Sequence, residues 1–315
     1  MFDAENFIEE TVEKIKEEVP GRTLIAFSGG VDSTVCAALV NKAIGDQLIA
    51  VNVDTGYMRK NEPETIKKLM EEMELNYRVI DASDKYYKAL KGVRNPEKKR
   101  KIIGELFIRL FEKVADDEKI EYLVQGTIAP DWIESGGELR DTIKSHHNVG
   151  GLPENMNLKL VEPLRDLYKD EVRKVARVLK LSVSEKQPFP GPGLAIRILG
   201  EATPKRTEIV REACDIVEKE IELAAEKENM ELPWQYFAVL LPTKSVGVHG
   251  DKRAYGSVIA VRAVQSIDAM TCSFSNIPTN VIDRISNRIT NTLGDKINRV
   301  VYDVTNKPPG TVEWE

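Results

Sequence analysis

The first half of the chain alternates apolar runs with helical stretches, and this alternation limits its possible folds more than any other feature. Four runs have the Val, Ile and Leu content of buried strands: TLIAF, LIAVNV, YRVIDA and YLVQGT. A helical stretch follows each of these runs, at 32–44, 62–74, 84–115 (in pieces) and 169–180. Near-continuous apolar strands separated by helices predict a parallel sheet covered on both faces.

The first apolar run ends in the turn Ser28-Gly29-Gly30, which leads directly into a helical pattern. Unpaired N–H groups at a helix start bind anions, and glycines let phosphate oxygens approach closely. The segment matches neither GxxxxGK followed by Ser or Thr, nor GxGxxG. A tight strand-to-helix turn is the structural alternative. Asp32 favours a phosphate site, because Mg²⁺ takes one or two carboxylates together with phosphate oxygens.

The second half begins with the Pro- and Gly-rich segment KQPFPGPGLAIRILGEATP, which by composition could also be a linker. It precedes an α+β pattern with helices at 204–228 and 279–293 and strands near 236–241, 257–264 and 297–304. We therefore predict two domains, 1–190 and 191–315. The apolar positions Val258, Ile259 and Val261 fit either an exposed interface or a core.

Composition excludes several classes of protein. The chain has 315 residues and a net charge of −6, which argues against a broad nucleic-acid surface. No apolar run approaches the roughly 20 residues that span a bilayer, and the acidic, amphipathic start is unlike a signal peptide. Cys36, Cys214 and Cys272 are far apart, which favours a reducing compartment and predicts a cytoplasmic protein without disulfides.

The basic run RNPEKKRK, residues 94–101, has two interpretations. It can be a docking surface for a partner protein, or the solvated start of a helix, which is the commoner reason for such a run.

The segment SGGVDS after the first strand resembles the pyrophosphate-binding loop of the N-type ATP pyrophosphatases. In that family ATP is cleaved between its α and β phosphates, and the loop holds the departing pyrophosphate. The resemblance implies a doubly wound parallel α/β sheet of the adenine nucleotide alpha hydrolase type.

Four further segments resemble GMP synthases within that family. In the loop 131–156, adjacent histidines would point to opposite sides of an extended segment, which disfavours a shared metal. A histidine is usually structural, but a polar, glycine-flanked loop favours phosphate contacts on a lid. The end of the chain is neither frayed nor polar in composition, and its GTVEWE is a mild departure from the common ATIEWE. The segments are DWIESGGELRDTIKSHHNVGGLPENM, PFPGPGLAIR, VGVHGDKRAYGSVIAVRAVQSIDAMT and KPPGTVEWE.

The resemblance implies the reaction ATP + XMP + NH₃ → AMP + PPi + GMP. Only about 23 residues precede the first strand, and the GxCxG motif of a glutamine amidotransferase is absent. We therefore expect a synthetase subunit that receives ammonia from a separate glutamine amidotransferase subunit. The resemblance also implies that the second, smaller α+β domain is a dimerisation domain, through which two copies of the chain form a homodimer.

The resemblance also assigns residues, with ATP and Mg²⁺ as cofactors and Asp32 as the metal ligand. It places the pyrophosphate of ATP on Ser28, Gly29, Gly30, Asp32, Ser33 and Thr34. Position at the ends of the second and fourth strands adds Val53, Asp54 and Gly126, where the adenosine should lie. The resemblance places the catalytic lid at Asp131, Glu134, Lys144, His146, His147 and Asn148. It places XMP on Gly191, Pro192, Gly193, Arg197, Arg253, Arg262, Lys307, Thr311 and Glu313. Without the resemblance, Arg262 and Asp268 could be an ordinary surface ion pair.

Two other functions compete with this interpretation. A tRNA-modifying ATP pyrophosphatase shares SGGVDS, but we expect it to have a basic surface and often a cysteine pair, which this chain lacks. A non-enzymatic nucleotide sensor would keep the glycine turn, but it would need neither Asp32, nor the lid, nor an ordered end of the chain.

Overall fold

The computed structural model describes residues 2–130, 158–182, 187–249, 251–266 and 270–315. Short helical turns lie at Gly45–Gln47, Gly193–Arg197 and Gly294–Lys296. The helices are α1 (Ala4–Glu18), α2 (Val31–Ile44), α3 (Glu62–Glu72), α4 (Ser83–Ala89), α5 (Pro96–Glu118), α6 (Lys169–Val178), α7 (Pro204–Lys227) and α8 (Thr279–Leu293). The strands are β1 (Thr23–Ala26), β2 (Leu48–Asp54), β3 (Tyr77–Asp81), β4 (Tyr122–Val124), β5 (Lys159–Val161), β6 (Gln235–His249), β7 (Lys252–Gln265), β8 (Ser273–Phe274) and β9 (Ile297–Tyr302).

The first sheet is entirely parallel, with the strand order β3-β2-β1-β4-β5. Its central strands are buried because they are continuous apolar runs, as the six successive buried residues from Leu48 to Val53 show. Helices α1, α2 and α6 pack against one another beside this sheet, and α3 packs on β2. The predicted parallel α/β sheet is confirmed.

The edge strand β5 is a correction to the sequence analysis, which predicts no strand there. It is only three residues long, and Leu160 is 50% exposed. A short, exposed edge strand has no apolar run that would distinguish it from a loop. Its pairing with β4, from Tyr122 opposite Lys159 to Val124 opposite Val161, completes the sheet.

The second sheet is mixed: β7 pairs antiparallel with β6 and β8 and parallel with β9. Helices α7 and α8 pack on it and on each other. The hairpin of β6 and β7 is longer than predicted because its far end is largely exposed, and its apolar residues there, Val246, Val248 and Tyr255, do not form a continuous run. Val258, Ile259 and Val261 are buried within the single chain, so these positions belong to the core and do not form an exposed interface.

The chain divides into two compact units. The first consists of Met1–Thr55, Asn61–Ala82 and Ile103–Gly191. The second consists of Gly56–Lys60, Ser83–Ile102 and Pro192–Glu315, and so includes two short stretches from the first half of the sequence. The domain limits 1–190 and 191–315, and the dimerisation role of the second domain, stay predictions.

Candidate active site

The glycine turn follows β1 at the carboxyl edge of the first sheet and leads into α2. Gly29 has a φ of +69°, and a Cβ on it would lie 2.7 Å from Ile66 Cγ1, so only glycine fits here without strain. Gly30 is the N-cap of α2 and, as a glycine, has no side chain to cap the first turn. The backbone therefore brings an uncapped helix start close to the end of the strand.

The hydroxyl groups of the turn form a small network around Gly30. Ser28 and Ser33 are hydrogen-bonded to each other at 3.0 Å, and Ser33 also donates to the Gly30 carbonyl. Thr34 donates to the same carbonyl at 2.7 Å and is fully buried. The two serine hydroxyls thus lie side by side at the turn, and each would donate to a ligand by releasing its present acceptor, whereas the buried Thr34 stabilises the turn.

Asp32 is paired with Lys169, a residue that the sequence analysis does not select. The Lys169 ammonium donates to both carboxylate oxygens, at 2.6 and 2.8 Å. Lys169 is the first residue of α6, where a positive charge opposes the helix dipole. Both side chains are partly exposed, so this ion pair contributes little and can open when an anion arrives.

The turn lies where the strand order reverses. The first sheet runs from β1 to β2 on one side and from β1 to β4 on the other. Open α/β sheets bind ligands at such a switch point, outside the carboxyl ends of the strands. Gly126, which follows β4, lies against Asp32 in the first turn of α2. Val53 and Asp54 end β2, which is the neighbour of β1; Val53 is buried and Asp54 half-buried.

A second group of predicted residues lies in the second unit, around the helical turn Gly193–Arg197. Pro192 is the N-cap of this turn, whereas Gly191, the residue before it, belongs to the first unit. Gly193 has a φ of +62°, and a Cβ there would meet the Tyr57 carbonyl oxygen at 2.4 Å. The next N–H, that of Leu194, donates to this carbonyl at 2.8 Å. Gly193 therefore allows the turn to sit directly on the main chain of Tyr57.

Arg197 and Glu313, both assigned to XMP, are paired with each other. The fully buried guanidinium donates to the carboxylate from Nε at 3.1 Å and from Nη2 at 2.8 Å, and lies 4.0 Å from the centre of the Phe237 ring. Gln235 adds a further hydrogen bond to Glu313 at 3.1 Å. Such a bidentate pair fixes the position of the carboxylate.

Arg262 holds the last residues of the chain, which we call the tail (residues 303–315). Its Nη1 donates to the Asp303 carboxylate at 2.7 Å and to the Thr305 carbonyl at 3.0 Å. Nε and Nη2 donate to the carbonyls of Val312 and Thr311, at 2.8 and 2.7 Å. This buried guanidinium therefore organises the tail, and its donors are used within the chain.

Two more predicted XMP residues lie on the tail, and a third does not. Lys307 exchanges main-chain hydrogen bonds with Cys272, and the Thr311 hydroxyl donates to the main chain of Glu313. Arg253 is exposed near the far end of the hairpin, paired with Val248. It is nine residues from Arg262 along β7, about 30 Å at the ordinary rise of a strand. The structure thus does not bring Arg253 to the tail of the same chain.

The ion pairs that hold the tail shift the pKa values of Arg197 and Asp303. Burial opposes the charged form of Arg197, but the neighbouring Glu313 carboxylate outweighs it and raises the pKa of Arg197. Burial likewise opposes ionisation of Asp303, but hydrogen bonds from Thr305 and the charge of Arg262 hold its pKa below the usual value. These shifts favour the charged forms of Arg197 and Asp303 at neutral pH.

Two family models match the chain, and they match different parts of it. The model described as NAD synthase covers residues 1–128, which include the glycine turn. The model described as GMP synthase C terminal domain covers residues 221–314, which include Arg262 and most of the tail. A solved structure of NMN synthetase from Francisella tularensis aligns over 61% of this chain and 78% of its own, with 17% identity and a TM-score of 0.49.

Full-length relatives decide the family. A subunit of the glutamine-hydrolysing GMP synthase of Thermoplasma acidophilum is 56% identical over 98% of this chain and 99% of its own. The corresponding subunits from Thermococcus kodakarensis and Methanopyrus kandleri are 57% and 55% identical, over 99% and 100% of both chains. The chain belongs to this family of GMP synthase subunits.

Membership of the GMP synthase family confirms several predictions. The chain resembles GMP synthases as predicted, it is an ATP-dependent ligase, and it has a role in GMP synthesis. Across the described ranges, no helix is both long and apolar enough to cross a bilayer. The individual site residues stay predictions, supported only by the placement described above.

The six lid residues assigned to catalysis lie outside the described residues. They are Asp131, Glu134, Lys144, His146, His147 and Asn148. Asp268, the alternative ion-pair partner for Arg262, lies outside them too. In the described part of the chain Arg262 pairs with Asp303 instead.

The side chains at the glycine turn fit a Mg²⁺ ion only if it arrives with the nucleotide. No group of three or more His, Cys, Asp or Glu side chains that could hold a metal alone occurs in the described part of the chain. The turn supplies one carboxylate, Asp32, and two hydroxyls. One carboxylate suits Mg²⁺ whose other ligands are phosphate oxygens and waters. Lys169 would have to move off Asp32 first.

Proposed function

We propose that this chain adenylates XMP with ATP at the 2-oxygen and then aminates it with ammonia to give GMP, AMP and pyrophosphate. The 2-oxygen of xanthine belongs to a stable urea-like unit and is a poor leaving group. Attack of this oxygen on the α-phosphorus of ATP forms the O–P bond and breaks the bond to pyrophosphate. Ammonia then bonds to C2, AMP departs with the oxygen, and a proton is lost from the nitrogen.

The glycine turn holds the departing pyrophosphate in this proposal. The α2 start, with Ser28 and Ser33, donates hydrogen bonds to its oxygens, and Lys169, beside Asp32, provides a positive charge. Val53, Asp54 and Gly126 lie at the strand ends where the adenosine would bind. No covalent bond to the protein is needed, so the chain contributes position and charge stabilisation.

Asp32 would hold a Mg²⁺ ion shared with the phosphates, as its donor set allows. When bound, such an ion neutralises phosphate charge and so makes pyrophosphate a better leaving group. Asp32 and Lys169 then have complementary tasks, because displacing Lys169 from the carboxylate frees its ammonium for a phosphate oxygen.

The tail and the turn Gly193–Arg197 bind XMP in this proposal. Lys307 is the candidate phosphate ligand that the family resemblance implies, and Thr311 and Glu313 belong to the same ordered segment. The guanidinium groups of Arg197 and Arg262 donate to atoms of the tail. Arg197 and Arg262 therefore contribute by fixing the shape of the tail.

Ammonia is proposed to come from a separate glutamine amidotransferase subunit. The names of the relatives support such a partner, because each is called a subunit of a glutamine-hydrolysing enzyme. The predicted lid would exclude water, which could hydrolyse the adenylated intermediate.

A homodimer and a cytoplasmic location also belong to the proposal. Large apolar side chains are exposed in the second unit, as at a self-association surface; they are Val248, Tyr255 and Met270. Sedimentation velocity would measure the proposed dimer. Cys36, Cys214 and Cys272 are all free thiols, which suits a reducing compartment.

The observation that carries the proposal is the uncapped turn at the switch point of the sheet. The test is to incubate the purified chain with ATP, Mg²⁺ and XMP, supply either ammonium or glutamine, and follow the loss of XMP absorbance. Turnover with ammonium alone is the expected result. ATP–pyrophosphate exchange that requires XMP would identify adenylation as the first step.

Other outcomes would contradict parts of the proposal. Turnover with glutamine would mean that the chain carries its own amidotransferase activity. ATP binding without XMP-dependent exchange in a folded sample would indicate a nucleotide sensor or a different acceptor.

A further inference from the structure

The basic run 94–101 contains a lysine that is neither solvated nor available to a partner. The run begins α5: Asn95 accepts the N–H of Lys98 at 2.9 Å, and the helix starts at Pro96. Lys98 is exposed, as expected at a helix start. The next residue, Lys99, is 0% exposed. Neither interpretation from the sequence accounts for a buried lysine in this run.

All three ammonium protons of Lys99 have acceptors within the second unit. Nζ donates to the carbonyls of Ala195 and Ile198, at 3.1 and 2.7 Å, and to the Glu315 carboxylate. A lysine has three donors and no acceptor, so nothing on this ammonium is left for another ligand. The two carbonyls flank Arg197, and Glu315 ends the tail.

Two further hydrogen bonds hold Glu315 at the same place. Arg100 donates to the main-chain oxygen of Glu315, and the Gly200 N–H donates to its carboxylate at 3.3 Å. The end of the tail is thus fixed to the start of α5 and to the segment just after Gly193–Arg197. Both segments that we assign to XMP meet at Lys99.

The burial of Lys99 is costly for the fold. Burial lowers the pKa of Lys99, and only the Glu315 carboxylate works against this effect with any strength. Replacing a buried ion pair with apolar groups is often neutral or stabilising, so stability alone does not explain a buried ammonium at this position. A requirement to hold the Gly193–Arg197 turn and the tail in one exact relative position explains the buried ammonium better.

We propose that Lys99 is a positioning residue for XMP, which fastens the Gly193–Arg197 turn and the tail to each other through Glu315. This proposal rests on the proposed function. Lys99 touches no substrate in it and acts through the two segments. Their relative position sets where Lys307 and Thr311 meet the nucleotide.

The kinetic test compares Lys99→Met and Glu315→Gln with the wild-type chain, using ammonium as the nitrogen source. Lys98→Met is the matched control, because it removes the same charge one residue earlier from an exposed site. We expect KM for XMP to rise about tenfold in each of the two variants, as for the loss of a charged hydrogen bond. KM for ATP should stay within about twofold, and the double variant should be no worse than either single variant.

Hydrogen exchange of peptides from the tail gives a readout that needs no substrate. Lys99→Met should speed exchange in residues 303–315 while leaving the β1 and β2 peptides unchanged, and Lys98→Met should change neither. Unchanged exchange in the tail together with an unchanged KM for XMP would overturn the proposal, as would an equal rise in KM for both substrates.

Failure of the proposed function would look different. A wild-type chain that does not use XMP would remove the assigned reaction and with it the kinetic role of Lys99. The exchange measurement would then decide separately whether Lys99 fastens the tail.

Discussion

The glycine turn and the tail are both assigned to nucleotide ligands, but they are built in opposite ways. The turn is made by neighbours in the sequence, Ser28 to Thr34, and its ion pair with Lys169 is partly exposed. The tail is held by three buried cations from separate parts of the chain: Lys99, Arg197 and Arg262. These cations engage both carbonyls and carboxylates of the tail.

The difference follows from what each segment must do. A site that receives an anion has to leave donors available, so a bare helix start and an exposed, weakly paired Lys169 are suitable. A segment that presents a side chain to a substrate must instead hold one shape, and a connected network of buried hydrogen bonds gives that rigidity. The turn is therefore suited to bind a ligand directly, whereas most charges of the tail hold the shape of the tail.

The strongest test of this contrast is Asp32→Asn at the turn. The amide cannot carry the negative charge that a metal and Lys169 require, so adenylation should fall by about two to three orders of magnitude. XMP binding, measured by calorimetry, should remain near the wild-type value because the tail is intact. Asp46→Asn, just beyond the other end of α2, is the control and should keep full activity. Wild-type turnover in Asp32→Asn would remove the metal role.

The fold is largely predictable because its central strands carry their own pattern. β1, β2 and β4 are continuous apolar runs, and burial on both faces can be read from those runs alone. The edge strand β5 is not predictable in this way because half of Leu160 faces solvent. The far arms of β6 and β7 are not predictable from a continuous apolar run either, because they are largely exposed and alternate polar residues with single apolar ones such as Val248 and Tyr255.

The part of the site that consists of residues adjacent in sequence is predictable, whereas the part that brings together residues distant in sequence is not. The turn is contiguous in sequence, so its motif is recognisable. Lys169 lies 137 residues from Asp32, and Lys99 lies 216 residues from Glu315. No local pattern links such pairs, because only packing brings them together. The sequence also predicts Arg262 as an XMP ligand, whereas its contacts in the structure are those of a scaffold.

Lys307→Met tests the one tail cation that we assign to the substrate. Loss of a charge-assisted hydrogen bond to phosphate should raise KM for XMP about tenfold to a hundredfold. KM for ATP should change little, because the glycine turn is untouched. Lys296→Met, an exposed lysine just before β9, is the control. An equal rise in both KM values would show that Lys307 is scaffold like the buried cations that hold the tail.

The smallest expected effect concerns the pH dependence of the tail. The pKa of Asp303 is held below its ordinary value of 3.8, so its ionised form stabilises the fold above that pH and the contribution is lost as pH falls through the lowered pKa. Asp303→Asn keeps an acceptor for Trp314 but removes this charge. The wild-type chain should melt roughly 1–3 °C above the variant at pH 7, and the gap should shrink below about pH 4. Differential scanning calorimetry at several pH values measures the gap. A gap that stays constant with pH would mean that Asp303 acts by shape alone, and the tail would then be held by hydrogen bonds more than by its buried charges.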